Sequence, residues 1–98
     1  MLWEIGKDAL EKKLCLELSY DGYARLVEVH AIGQTTAGNV VMRAWQVSGG
    51  SVSNEPTGWK LLRLDEAKAI AISETGSEAP RPGYKRGDRS IKNIYIEI

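Results

Sequence analysis

The sequence predicts a mainly β (α+β) domain, a short N-terminal helix followed by a small barrel of five or six antiparallel strands. Three observations predict it. Apolar spacing changes from three and four to two at Leu14, which ends a helix and begins a strand. Asp21-Gly22, the favoured two-residue hairpin turn, separates two alternating segments. Short strand patterns then recur to the end of the chain between Gly- and Pro-rich stretches, and closure into a barrel is how such strands lose exposed edges.

Residues 2–13 hold the helical signal. Leu2, Ile5 and Ala9 recur at helical spacing, as do Leu10 and Leu14, and Asp8 precedes Lys12 in the favourable acid-first order. Gly6 costs about 1 kcal/mol inside a helix, which argues for a start at Gly6 or after it. Leu14, Leu16, Leu18 and Tyr20 then share one face of a strand, with Cys15, Glu17 and Ser19 on the other. The return strand, Tyr23 to His30, sets Tyr23, Arg25, Val27 and Val29 against Ala24, Leu26, Glu28 and His30.

A turn-rich loop from Gly33 to Asn39 leads into Val40–Val47, a strand by its β-branched and aromatic content. Ser48 to Gly58 lacks periodicity and reads as a mobile loop. Trp59–Leu64 and Lys68–Ser73 are two further strands around a turn at Asp65-Glu66-Ala67, so the barrel covers residues 14–73. A basic Pro/Gly loop and a terminal strand occupy residues 75–98. Ile94, Ile96 and Ile98 alternate as a closing strand, although Ile91, Ile94 and Ile98 also fit a helix.

Composition narrows the function classes. Ninety-eight residues suggest one domain over 1–98, with 43% apolar residues for a core and 27% charged residues for its surface. Thirteen basic residues balance thirteen acidic ones, which predicts no generalised nucleic-acid affinity. One cysteine, Cys15, excludes an intrachain disulfide framework and a multi-thiolate zinc site. The apolar runs are far shorter than a membrane helix needs, and Glu4 and Asp8 break the secretory-signal pattern, so a cytoplasmic protein without membrane contact is expected.

Catalytic constellations are thin. Gly33 to Val40 has the glycine spacing of a phosphate loop, but Asn39 stands where its lysine belongs and no helix follows. Cys15 and His30 would need one sheet face and a third orienting group to act as nucleophile and base. The plainer reading is a buried thiol and a hydrogen-bonded imidazole, and the chain is not expected to be an enzyme or to hold a cofactor or metal. The cations carry more information. Residues 80–98 set Arg81, Lys85, Arg86, Arg89 and Lys92 against Asp88 and Glu97, a local balance of +3. Arg25, Arg43 beside Trp45, and Lys60 and Arg63 beside Trp59 add cations within strands, where arginine pairs with anions and stacks on planar groups.

These segments resemble a known family. Leu18-Ser19-Tyr20 followed by Arg25-Leu26-Val27-Glu28-Val29-His30 is similar to the opening of a WYL domain. Arg43-Ala44-Trp45-Gln46 takes the place of its aromatic strand, and Trp59 to Ala67 resembles its Phe-Arg-Leu-Asp-Arg-Ile segment. Arg81-Pro82-Gly83-Tyr84 resembles the tail of compact, stand-alone bacterial members. The chain departs from the pattern at Val29 for proline, at Gln46 and Val47 within the naming triplet, and at Ala67 for arginine.

The resemblance implies an Sm-like or SH3-like barrel behind a helix. It also implies a ligand-sensing module for nucleotide-like or single-stranded nucleic-acid effectors, of the kind used in transcription regulation. Carried over by position, Arg25, Arg43, Lys60, Arg63 and Arg81 would pair with anionic groups. His30 and Gln46 would donate or accept hydrogen bonds, and Tyr84 would stack on the ligand. A homodimer or a partner regulator fits the same reading. The alternative is a protein-interaction module without a small ligand, using the 48–58 loop and the terminal strand.

Overall fold

The computed structural model describes residues 3–98; Leu2, part of the expected helix, lies outside the described residues. Helix α1 spans Trp3–Lys12, and six strands follow: β1 Leu14–Tyr20, β2 Tyr23–Gln34, β3 Val40–Gly49, β4 Gly58–Arg63, β5 Lys68–Gly76 and β6 Asn93–Glu97. A short 3-10 turn, Leu64–Glu66, joins β4 to β5. The fold is mainly β, as the alternation implies. No helix among the described residues is long and apolar enough to cross a membrane.

Gly6 sits inside α1 rather than at its start. A Cβ at this position would come 2.7 Å from Cδ1 of Ile32, so the missing side chain lets the helix lie close against β2. Packing overrides the helix propensity of glycine here. Leu16, Leu18, Val27, Val29, Ile32, Met42, Ala44, Leu62 and Leu64 form the main core with Ala9 of the helix. Ala31, Val41 and Ile91 form a second, smaller cluster.

All ladders are antiparallel, in the order β4-β3-β2-β1-β5, with β6 also paired to β2. The hairpin pairs Tyr20 with Tyr23 across Asp21-Gly22, whose φ values of 51° and 79° are those a two-residue primed turn requires. The sheet is not closed: no ladder joins the end strands β4 and β5 among the described residues, and the 3-10 turn connects them instead. The final strand pairs Ala31–Gln34 of β2 rather than completing a ring.

A bulge in β2 changes the expected facing of its residues. Val29 pairs Ala44 and Ala31 pairs Arg43, so His30 is an extra residue against β3. Strict alternation would set Ala31 on the face of Val27 and Val29. The bulge instead puts Ile32 in their core and Ala31 in the second cluster. It also frees the His30 carbonyl to accept the Ile98 N–H at 2.8 Å and the Tyr84 hydroxyl at 3.2 Å.

Candidate functional site

The face of β3 and β4 that bears Arg43, Trp45 and Trp59 is overlaid by the segment between β5 and β6. Cross-strand pairing sets Trp45 opposite both Glu28 and Trp59. The Trp45 and Trp59 rings meet edge-on at 5.3 Å, and Trp59 meets His30 at 4.7 Å and Tyr84 at 6.2 Å. Rings of this size supply both packing area and polarised edges.

Two buried polar side chains on β2 hold the overlying segment in place. Glu28, 1% exposed, accepts Nε of Arg81 at 2.6 Å and the Glu78 N–H at 2.6 Å. Burial alone would raise the Glu28 carboxyl, but those hydrogen bonds and the Arg81 charge outweigh it and hold the group below the ordinary range. The Arg81 guanidinium also lies over the Trp45 ring, 5.5 Å from its centroid. His30, fully buried, lies 2.9 Å from the Glu28 carbonyl through Nδ1, and its Nε2 accepts the Arg81 main-chain N–H at 3.0 Å. Burial lowers the imidazole pKa against the opposing pull of Glu28.

Beyond Arg81 the segment forms one wall of a cleft of about 810 Å³, lined by Arg43, Trp59, Tyr84, Lys85, Arg86 and Arg89 with Asp88 and two glycines. Tyr84 anchors the wall by donating its hydroxyl to the His30 carbonyl. Burial, then the Glu97 charge, raises its phenol pKa, so the hydroxyl stays a donor. Arg43 pairs with Asp88 at 2.6 Å, and Arg86 with Glu97 at 3.4 Å. Lys85 and Arg89 are exposed and have no ion-pair partner among the described residues. The cleft therefore offers aromatic surface beside uncompensated positive charge.

The residues expected to share one pocket fall into separate places. His30, Arg43, Arg81 and Tyr84 are at or behind the cleft. Arg25 and Gln46 are buried elsewhere: Arg25 Nη1 donates to Gln46 Oε1 at 3.3 Å and Nη2 to the Tyr20 carbonyl at 3.1 Å. Gln46 Nε2 in turn donates to the Gly50 and Pro56 carbonyls, both at 3.1 Å. The 48–58 segment, expected as a free loop, thus continues β3 to Gly49 and then folds over Gln46. Lys60 reaches Ser51 and Ser53 of that segment at 3.2 and 3.4 Å. Arg63 pairs with its near neighbours Asp65 and Glu66.

Trp45, Trp59, Glu28 and Lys85 with Arg89 are the residues that sequence reasoning left out of the site. Trp45 carries a signal in the sequence, since it shares strand parity with Arg43, and the cations of 85–89 stand out there as charge alone; Trp59 and Glu28 lie on other strands, whose register against β3 the sequence does not give. Cys15 does not join His30 in a dyad. Its thiol donates to the Gly76 carbonyl, and burial followed by the Glu28 charge raises its pKa. No cluster of three or more His, Cys, Asp or Glu side chains suited to a metal occurs among the described residues. Fold and cleft define a small, mainly β domain with a basic, aromatic-floored groove on one sheet face. Comparison with protein-family models, curated proteins and solved structures returns no match for the chain.

Proposed function

We propose that the chain is a binding module for a nucleotide-like or single-stranded nucleic-acid ligand, seated in the cleft between Trp59 and the 83–89 wall. The observation that carries this reading is the pair of unpartnered cations, Lys85 and Arg89, in a cleft that also exposes Trp59 and Tyr84. Bases stack on aromatic faces while a positive groove follows the phosphates. A lone phosphate would not need the rings, and an apolar ligand would not suit the cations.

The resemblance to WYL domains belongs to this proposal. So does an Sm-like or SH3-like barrel, supported by the leading helix, the β4-β3-β2-β1-β5 path and the 3-10 turn joining its two end strands. A regulatory role in the cytoplasm follows from that reading.

Fluorescence polarisation with short single-stranded oligonucleotides and with mononucleotides tests it. Saturable binding at low salt is expected, falling steeply as salt rises. Replacing Lys85 or Arg89 by Gln should reduce the slope of log K against log salt by about 0.7 for each phosphate that the side chain neutralises. Stability should change by no more than about 0.5 kcal/mol, since both side chains are exposed. No saturable binding across the panel sinks the proposal.

A further inference from the structure

Asp88 is the one carboxylate among the residues lining the cleft. Its Oδ2 accepts Arg43 Nε at 2.6 Å, and its Oδ1 accepts Arg43 Nη2 at 3.4 Å and the Ser90 N–H at 2.9 Å. The Arg43 Nη2 also reaches the Ser90 hydroxyl at 3.4 Å. The side chains of Arg43 and Asp88 remain 23% and 12% exposed, so the pair lies at the cleft surface rather than sealed in the core. A two-pronged guanidinium contact is also the geometry that phosphate oxygens adopt. Ligand phosphate and Asp88 therefore need the same Nε and Nη2 hydrogens.

We propose that Asp88 is an internal competitor for the ligand's anionic group, exchanged on the Arg43 fork for a ligand phosphate. The proposal rests on the nucleotide or single-strand reading of this cleft and names the residue that sets its selectivity. A ligand carboxylate gains little by the exchange, because Asp88 already fills the place without the cost of association. A phosphate on a nucleotide chain gains more, since Lys85 and Arg89 in the same cleft reach anionic groups that Asp88 leaves unpaired. Asp88 in place also repels a second anion, which excludes weakly charged ligands.

The opposite reading makes Asp88 a plain fastener of the wall, and the two differ in sign. Asp88→Asn keeps an oxygen for the Ser90 N–H and removes the charge. Titration of wild type and variant with a short labelled oligothymidylate should show binding about five- to tenfold tighter in the variant, the scale of one charge contact at about 4 Å through bulk water. The salt slope should steepen by about 0.7, because the exchange in the wild type frees a carboxylate that recaptures a cation and the variant has none to free. Asp88→Glu, which retains the charge, should keep wild-type affinity and slope. If the wild type binds and Asp88→Asn binds no tighter, or fails to fold, the competitor is overturned and the cleft reading stands. If neither protein binds, the cleft reading falls, and this inference with it.

Discussion

The main-chain N–H of Arg81 donates to Nε2 of His30 across 3.0 Å, while Nδ1 of the same ring lies 2.9 Å from the Glu28 carbonyl. A ring nitrogen that accepts carries no proton, so Nδ1 bears it and the imidazole is neutral. The charged groups facing the ring are Glu28, on its own strand, and Arg81 from the overlying segment. The neutral ring is thus a requirement of the joint between β2 and the wall of the cleft.

A pH dependence of stability follows. The His30 pKa is lowered in the fold, chiefly by burial, relative to about 6.5 in an unfolded chain. Below that value the unfolded state binds more protons than the folded one, so stability falls as pH falls, by at most about 1.4 kcal/mol per pH unit. Above it the contribution is fully present. The chain has one histidine, and the lowered carboxyls of Glu28 and Asp88 titrate below this window. Urea midpoints should drop between pH 7 and pH 5 in the wild type and stay nearly level in His30→Gln, whose amide oxygen can accept the Arg81 N–H. An equal drop in both proteins would locate the effect elsewhere.

Most of the fold was legible because period and turn chemistry act locally. Leu14–Tyr20 and the Asp21-Gly22 turn emerge in the structure as the pattern dictates. The bulge at His30 was not legible, since an extra residue leaves no mark on a strand whose two faces are both buried beyond Val27. The site was legible in residue type and not in grouping. Arg25, Arg43, Lys60 and Arg63 all resemble free cations in the sequence because their partners are not visible there: Gln46 reaches Arg25 from a neighbouring strand whose register the pattern does not fix, and Asp88, Ser51 and Asp65 come from turns and segments that periodicity does not place. Parity on β3 does set Trp45 with Arg43, whereas Trp59 joins that face through the β3–β4 register, which pairs Trp45 with Trp59.

Gln46 separates structural from ligand-binding roles. Its amide satisfies one Arg25 N–H and two loop carbonyls, and Arg25 already has an unpartnered buried Nε. Gln46→Leu, similar in volume, leaves those groups without a partner and should destabilise the protein by about 2–4 kcal/mol. Alternation along β3 directs Gln46 away from the face of Arg43 and Trp45, so oligonucleotide affinity at the cleft should change by less than about twofold. Chemical denaturation and polarisation on the same preparation check both. Affinity lost with stability intact would return Gln46 to the ligand site.

The contact between Gly6 and Ile32 can be tested by a double-mutant cycle. Gly6→Ala favours the helix by about 1 kcal/mol through propensity alone. The new methyl, however, would lie 2.7 Å from Cδ1 of Ile32, a residue with no exposed surface and neighbours on every side. Overpacking of this kind costs about 1–3 kcal/mol, so the single change should be destabilising or at best neutral. Ile32→Val deletes Cδ1 and by itself costs about 0.5–1.5 kcal/mol through the void it leaves. Adding Gly6→Ala to that background fills part of the void and recovers the helix propensity, so there it should stabilise. The sign of the Gly6→Ala effect therefore reverses between the two backgrounds, with a coupling of about 1–2 kcal/mol read from urea denaturation of the four proteins. Additive effects would mean that the approach of α1 to β2 is set by something other than the missing side chain at Gly6.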